Sequence, residues 1–220
     1  MEHFNAVHRK ETTMKETTIE FLKGNISFDE YVNMCETDNF EFLQSLVKEG
    51  EAANRITQTE DGNIKVESIP YVAKDVLTDM LKKDTLAVKV DFFSEICRLV
   101  KEALPNENIV INAYLLDAFN YILLNTPNYI GGAEAEQVLY EVYKSILCPN
   151  TPSGRAEYKR IISSLFKYKN KKPRWIQGPE WPVCYGKPMM FVQEFKDTDG
   201  KEHYLFECSS FENTEIIQFD

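Results

Sequence analysis

From Pro173 to Pro188 the chain cannot be helical. Four prolines, Pro173, Pro179, Pro182 and Pro188, break the segment, and Gly178 and Gly186 loosen what lies between them. Both tryptophans of the protein, Trp175 and Trp181, fall in the same stretch. The composition reads as a rigid, aromatic-rich loop, and it separates two patterns. Apolar residues recur at helical spacing before it and alternate after it.

The helical part begins near Met14, where Ile19, Phe21 and Leu22 form one apolar face that Gly24 can close. Ser27 with Glu30 has the spacing of a capping box and starts a second helix. Asp38 with Glu41 starts a third, with Phe42, Leu43, Leu46 and Val47 inward and Gly50 at its end. Around Asp61-Gly62-Asn63, Ile56, Ile64 and Val66 alternate with polar residues, which reads as a weak hairpin or a loop. Helical periods return from Tyr71, from Asp91 to the stop at Pro105, from about Ile109 to Leu124, from Ala133 to Leu147, and from about Arg155 to Tyr168. Beyond the loop, Met189–Phe195 and Glu202–Cys208 flank Asp197-Thr198-Asp199-Gly200, a turn sequence between two strands, and Glu215–Phe219 alternates as a third.

The expected fold class is therefore α+β. A mostly helical body over about residues 14–170, an irregular bundle of seven to eight helices, carries a small C-terminal antiparallel hairpin or three-stranded sheet over about 173–220. A sheet of that size needs the helices beneath it, so a single domain 1–220 is expected.

Composition limits the chemistry. A net charge of -10 opposes binding of nucleic acid or anionic lipid by the whole protein. No apolar run approaches the roughly 18 residues of a membrane span, and the polar opening to about Glu11 has no signal-peptide core. Five cysteines, with no CxxC, exclude a complete disulfide framework and fit a reducing, cytoplasmic setting. Cys35 and Cys97 lie on helical apolar patterns as small buried hydrophobes. Of three histidines, His3 and His8 belong to the polar N-terminus and His203 stands alone on a strand, so no metal site is expected. No phosphate, dinucleotide, hydrolase, metalloprotease or EF-hand motif occurs, so neither catalytic residues nor a cofactor are assigned. The pairs Glu134/Glu136 and Asp197/Asp199 read as a helix first turn and a hairpin turn, and Gly131-Gly132 as a turn before a helix.

Arg155 to Arg174 holds eight Lys or Arg against Glu157 alone, a net +7 that leaves -17 on the rest of the chain. Beside Trp175 such a run suits a phosphate backbone and a stacked base. The surrounding acids make internal compensation the favoured reading, and nucleic acid the alternative.

Two segments carry a resemblance. Phe21-Leu22-Lys23-Gly24-Asn25-Ile26-Ser27-Phe28-Asp29-Glu30-Tyr31 with Leu43-Gln44-Ser45-Leu46, and the Trp-Pro, Gly-Lys-Pro and Phe-Val-Gln pieces between Trp181 and Gln193, resemble patterns of bacterial immunity proteins. Proteins of that kind are encoded beside polymorphic or contact-dependent toxins and neutralise them by binding. The resemblance implies a non-enzymatic, cytoplasmic binder whose acidic surface meets a basic toxin domain, and it carries over no catalytic residue. Trp175, Glu180, Trp181 and Tyr185 are the candidate partner-binding residues, since preorganised aromatics are favoured anchors. The alternative is a nucleic-acid-associated or regulatory module that uses residues 155–174.

Overall fold

In the computed structural model, residues 13–58, 64–82, 85–208 and 213–219 are described, apart from the side chains of Arg55, Thr57 and Gln58. The polar opening with His3 and His8, and the Asp61-Gly62-Asn63 turn, lie outside the described residues. Eight helices and seven strands make an α+β fold among them. The chain divides into two compact units, Met1–Lys82 with Asp91–Tyr114, and Lys83–Val90 with Leu115–Asp220.

In the first unit, helix α1 (Met14–Leu22) has the full capping box, the Thr13 hydroxyl and the Glu16 carboxylate each accepting the other residue's backbone N–H. Helix α2 (Phe28–Thr37) is capped by Ser27 as expected. Helix α3 shrinks to Glu41–Ser45, because Asn39 and Phe40 both take left-handed backbone angles and Asp38 reaches past them to the N–H of Phe42. Strands β1 (Ala52–Gln58) and β2 (Ile64–Pro70) pair antiparallel, so the weak hairpin signal is a hairpin. Helix α4 (Ala73–Met80) follows. Helix α5 (Leu86–Ala103) starts one and a half turns before the expected Asp91, since the Thr85 hydroxyl accepts the N–H of Val88. The core of this unit is aromatic: Phe21 stacks on Tyr31 at 4.0 Å, Phe93 meets Phe21 edge-on at 5.5 Å, and the Tyr31 hydroxyl bonds Thr18 at 2.9 Å. Burial pushes the Cys35 thiol up to about 12 and Cys97 up to about 11, which suits packing and not nucleophilic attack.

The second unit holds helices α6 (Tyr114–Asn125, from Leu115 onward), α7 (Ala133–Ser145) and α8 (Pro152–Leu165). Helix α8 begins before the expected Arg155, because Thr151 caps it and Pro152 occupies its first turn. The short strands β3 (Val183–Cys184) and β4 (Lys187–Pro188) form a small hairpin. Strands β5 (Met190–Lys196), β6 (Glu202–Glu207) and β7 (Asn213–Gln218) form an antiparallel sheet in sequential order. Phe191, Tyr204 and Phe206 point to its buried face. Each such ring contributes about 1.5–3 kcal/mol by leaving water.

Candidate functional site

The loop between α8 and β5 is held at nearly every turn by the rest of the second unit. After α8 the chain runs beside β5, with Phe191 donating to the Lys167 carbonyl and Lys169 donating to the Phe191 carbonyl, both at 2.9 Å. Trp175 then lies over Tyr204 and Phe206, with centroids at 4.4 and 6.0 Å, and its indole N–H donates to the Tyr129 carbonyl at 2.9 Å. Gln218, 2% exposed, staples the next residues: its Oε1 accepts the N–H groups of Ile176 and Gln177, and its amide donates to the Gly178 carbonyl.

Trp181 is 1% exposed, between Phe166 at 5.4 Å and Phe206 at 5.5 Å. Its backbone N–H donates to Gly131 and its indole N–H to Met189, each at 2.8 Å. Here the Gly131-Gly132 pair gains a purpose beyond a turn. A Cβ on Gly131 would meet the Pro179 ring at 2.7 Å, and Gly132, at φ +99, lies against the backbone of Glu180. The glycines let the aromatic loop dock on the entry to α7. Composition alone marks them only as a turn.

The hairpin β3–β4 turns through Tyr185 at φ 49 and Gly186 at φ 72, the two positive angles of a type I′ turn. Left-handed geometry costs a bulky residue about 1–2 kcal/mol. Tyr185 is nevertheless held there, 82% exposed, by fixed flanks. The N–H of Val183 donates to the Glu134 carboxylate at 2.8 Å, Met189 donates to the Pro182 carbonyl at 3.0 Å, and Cys184 is bonded to Cys208 at the end of β6. An odd cysteine count rules out a complete framework; it does not rule out this single bridge, whose partners stand 24 residues apart and meet only in the fold.

Three of the four candidate residues come together. Glu180, Trp181 and Tyr185 line one groove of about 650 Å3 with Met189 and Ile216. Trp175 does not line it. Trp181 belongs to the groove's packed wall and is not a surface anchor, because both its ring faces and its N–H are occupied within the unit. Tyr185 and Glu180 are the exposed members.

The basic segment is largely committed to its own unit. Arg160 pairs with Glu157, Lys172 lies 5.2 Å from the Tyr129 ring, and Lys171 and Arg174 both bind Glu194, whose side chain is 8% exposed. Burial raises that carboxyl, but Lys171 and Arg174, with the Arg174 backbone N–H, outweigh it and hold the group below the usual range. Lys159, Lys167 and Lys169 have no carboxylate partner among the described residues.

His203 is less isolated than its sequence position implies. Its two ring nitrogens meet Asp197 at 3.0 Å and Glu215 at 2.9 Å, and these carboxylates raise its pKa above the ordinary value, Asp197 most. It ties the β5–β6 turn to β7. Among the described residues, no group of three or more His, Cys, Asp or Glu is arranged to hold a metal ion. Glu136, in the first turn of α7, rises above the usual range because its burial outweighs the influence of the nearby Ala87 and Leu86 backbone. No described helix is long and apolar enough to cross a membrane.

Comparison of the chain with protein-family models, with curated proteins and with solved structures gives no match in any of the three.

Proposed function

We propose that this protein is a cytoplasmic, non-enzymatic binder of another protein, of the immunity type, which neutralises a basic toxin domain by direct contact. One observation carries the reading: Tyr185 stands 82% exposed on a turn whose backbone is fixed on both sides. An aromatic side chain displayed from a preorganised turn loses little entropy on binding. The net charge of -10 suits fast capture of a basic partner. The pairing of Lys171 and Arg174 with Glu194 weighs against the alternative use of residues 155–174 on nucleic acid. In a reducing cytoplasm the Cys184–Cys208 bridge opens readily, and the Val183 and Met189 hydrogen bonds then hold the turn.

The test is co-expression with the toxin domain encoded beside the gene. The intact protein should restore growth and bind that domain, and Tyr185→Ala should weaken the complex by about 2 kcal/mol with unfolding unchanged. Failure to bind or neutralise any toxin encoded there removes the reading.

A further inference from the structure

Two grooves flank the hairpin β3–β4, and they share Glu134 and Val183. The first, of about 650 Å3, has Trp181, Met189 and Ile216 in its walls and Glu180 at its rim. The second, of about 670 Å3, runs along α7 with Val138, Val142 and Leu165 as an apolar floor and Glu134 and Glu141 above it. Helical spacing puts Glu134, Val138, Glu141, Val142 and Ser145 on one face, about 16 Å long.

Charge complementarity selects the occupant. Among the described residues no Lys or Arg pairs with Glu134 or Glu180, and Glu141 is met only by Lys144, at 2.6 Å. That pair is half exposed and one turn apart, a kind of contact worth little and easily exchanged. Apolar floor and carboxylate rim together match one chemistry. We infer that the two grooves seat an amphipathic Lys- or Arg-bearing segment of another protein, its apolar side chains on Val138, Val142 and Leu165 and its cations at Glu134, Glu141 and Glu180. This deepens the immunity reading and rests on it for biological meaning, but it is tested without a toxin.

The probe is a fluorescein-labelled synthetic amphipathic peptide of Leu and Arg, followed by anisotropy at low and at physiological salt. Saturable binding is expected. Glu141→Lys with Glu180→Lys should weaken it about tenfold or more. Glu141→Gln with Glu180→Gln, which removes charge without adding repulsion, should give a smaller loss at unchanged melting temperature. The control is Glu30→Lys with Glu36→Lys on the exposed face of α2, the same change in net charge in the other unit, which should leave affinity within about twofold. Equal losses in both reversals mean attraction to net charge alone and overturn the proposal. So does absence of binding, or self-association of the chain that excludes the peptide. Peptide binding without toxin neutralisation leaves the grooves standing and removes only the immunity reading. Neutralisation unaffected by the groove reversals leaves the immunity reading standing and removes the grooves as the toxin's seat.

Discussion

The hairpin β1–β2 and the sheet β5–β6–β7 are both antiparallel, with strands of six or seven residues, and in both some apolar side chains two residues apart share one face. On β5 and β6 those positions are Phe191, Tyr204 and Phe206, each at most 1% exposed. On the hairpin they are Ile56, Ile64 and Val66, which are 59–73% exposed although Ile56 and Val66 are directly paired across the strands. Alternation therefore specifies a face and not its covering. What covers the C-terminal sheet is the proline-rich loop, which brings Trp175 and Trp181 onto it. Among the described residues the face of Ile56, Ile64 and Val66 has no such layer, and a two-stranded ladder held mainly by its own pairing is marginal in water.

The contrast breaks most sharply if the covering layer is removed. Trp181→Ala should lower the stability of the second unit by about 3–5 kcal/mol, measured by denaturant unfolding with Trp175 fluorescence as the reporter. A loss near zero would mean that the sheet does not depend on the loop. Next in size is the bridge. Replacing Cys184 and Cys208 with serine should cost about 3 kcal/mol in oxidised protein and nothing under reductant. Thiol titration of the unfolded, unreduced chain should find the three cysteines Cys35, Cys97 and Cys148 reactive. Five reactive thiols would show that the bond does not form.

The buried carboxylate under the basic segment should come third. Glu194→Gln should cost about 1–3 kcal/mol, because Lys171 and Arg174 lose their partner. Its folded pKa is depressed, so its contribution is fully present above the ordinary glutamate value of 4.5 and is lost as pH falls through the folded value. Acid unfolding of the wild type between those limits should therefore be steeper than that of Glu194→Gln. The smallest effect belongs to the bare hairpin. Ile56→Thr should change stability by no more than about 0.5 kcal/mol, and a larger loss would reveal a packing partner for that face.

Much of the fold was legible where the signal is local. The Ser27 cap, the span of α7 and the turn at Asp197–Gly200 depend on residues within one or two turns of each other. Starts of helices were misplaced where a quieter cap won. Asp91 and Arg155 are plausible first residues, yet Thr85 and Thr151 supply the hydroxyls. The candidate site was legible as a composition and not as an arrangement. Sequence singled out both tryptophans equally, but only contacts distant in the chain decide that Trp175 packs on the sheet and Trp181 in the groove wall while Tyr185 is the exposed tip. Gln218, Gly132 and the Cys184–Cys208 pair carry no pattern that spacing can detect, because their partners lie tens of residues away.

The segment Lys83–Val90 belongs to the second unit although it lies, in sequence, inside the first. No single cut therefore yields either unit whole. On the ribosome the apolar Leu86 and Val90, at most 9% exposed in the finished protein, are made well before most of the unit they belong to exists. At ordinary translation rates that wait lasts roughly ten seconds. Throughout it, Leu86 and Val90 in the first turns of α5 lack the burial they have in the finished protein.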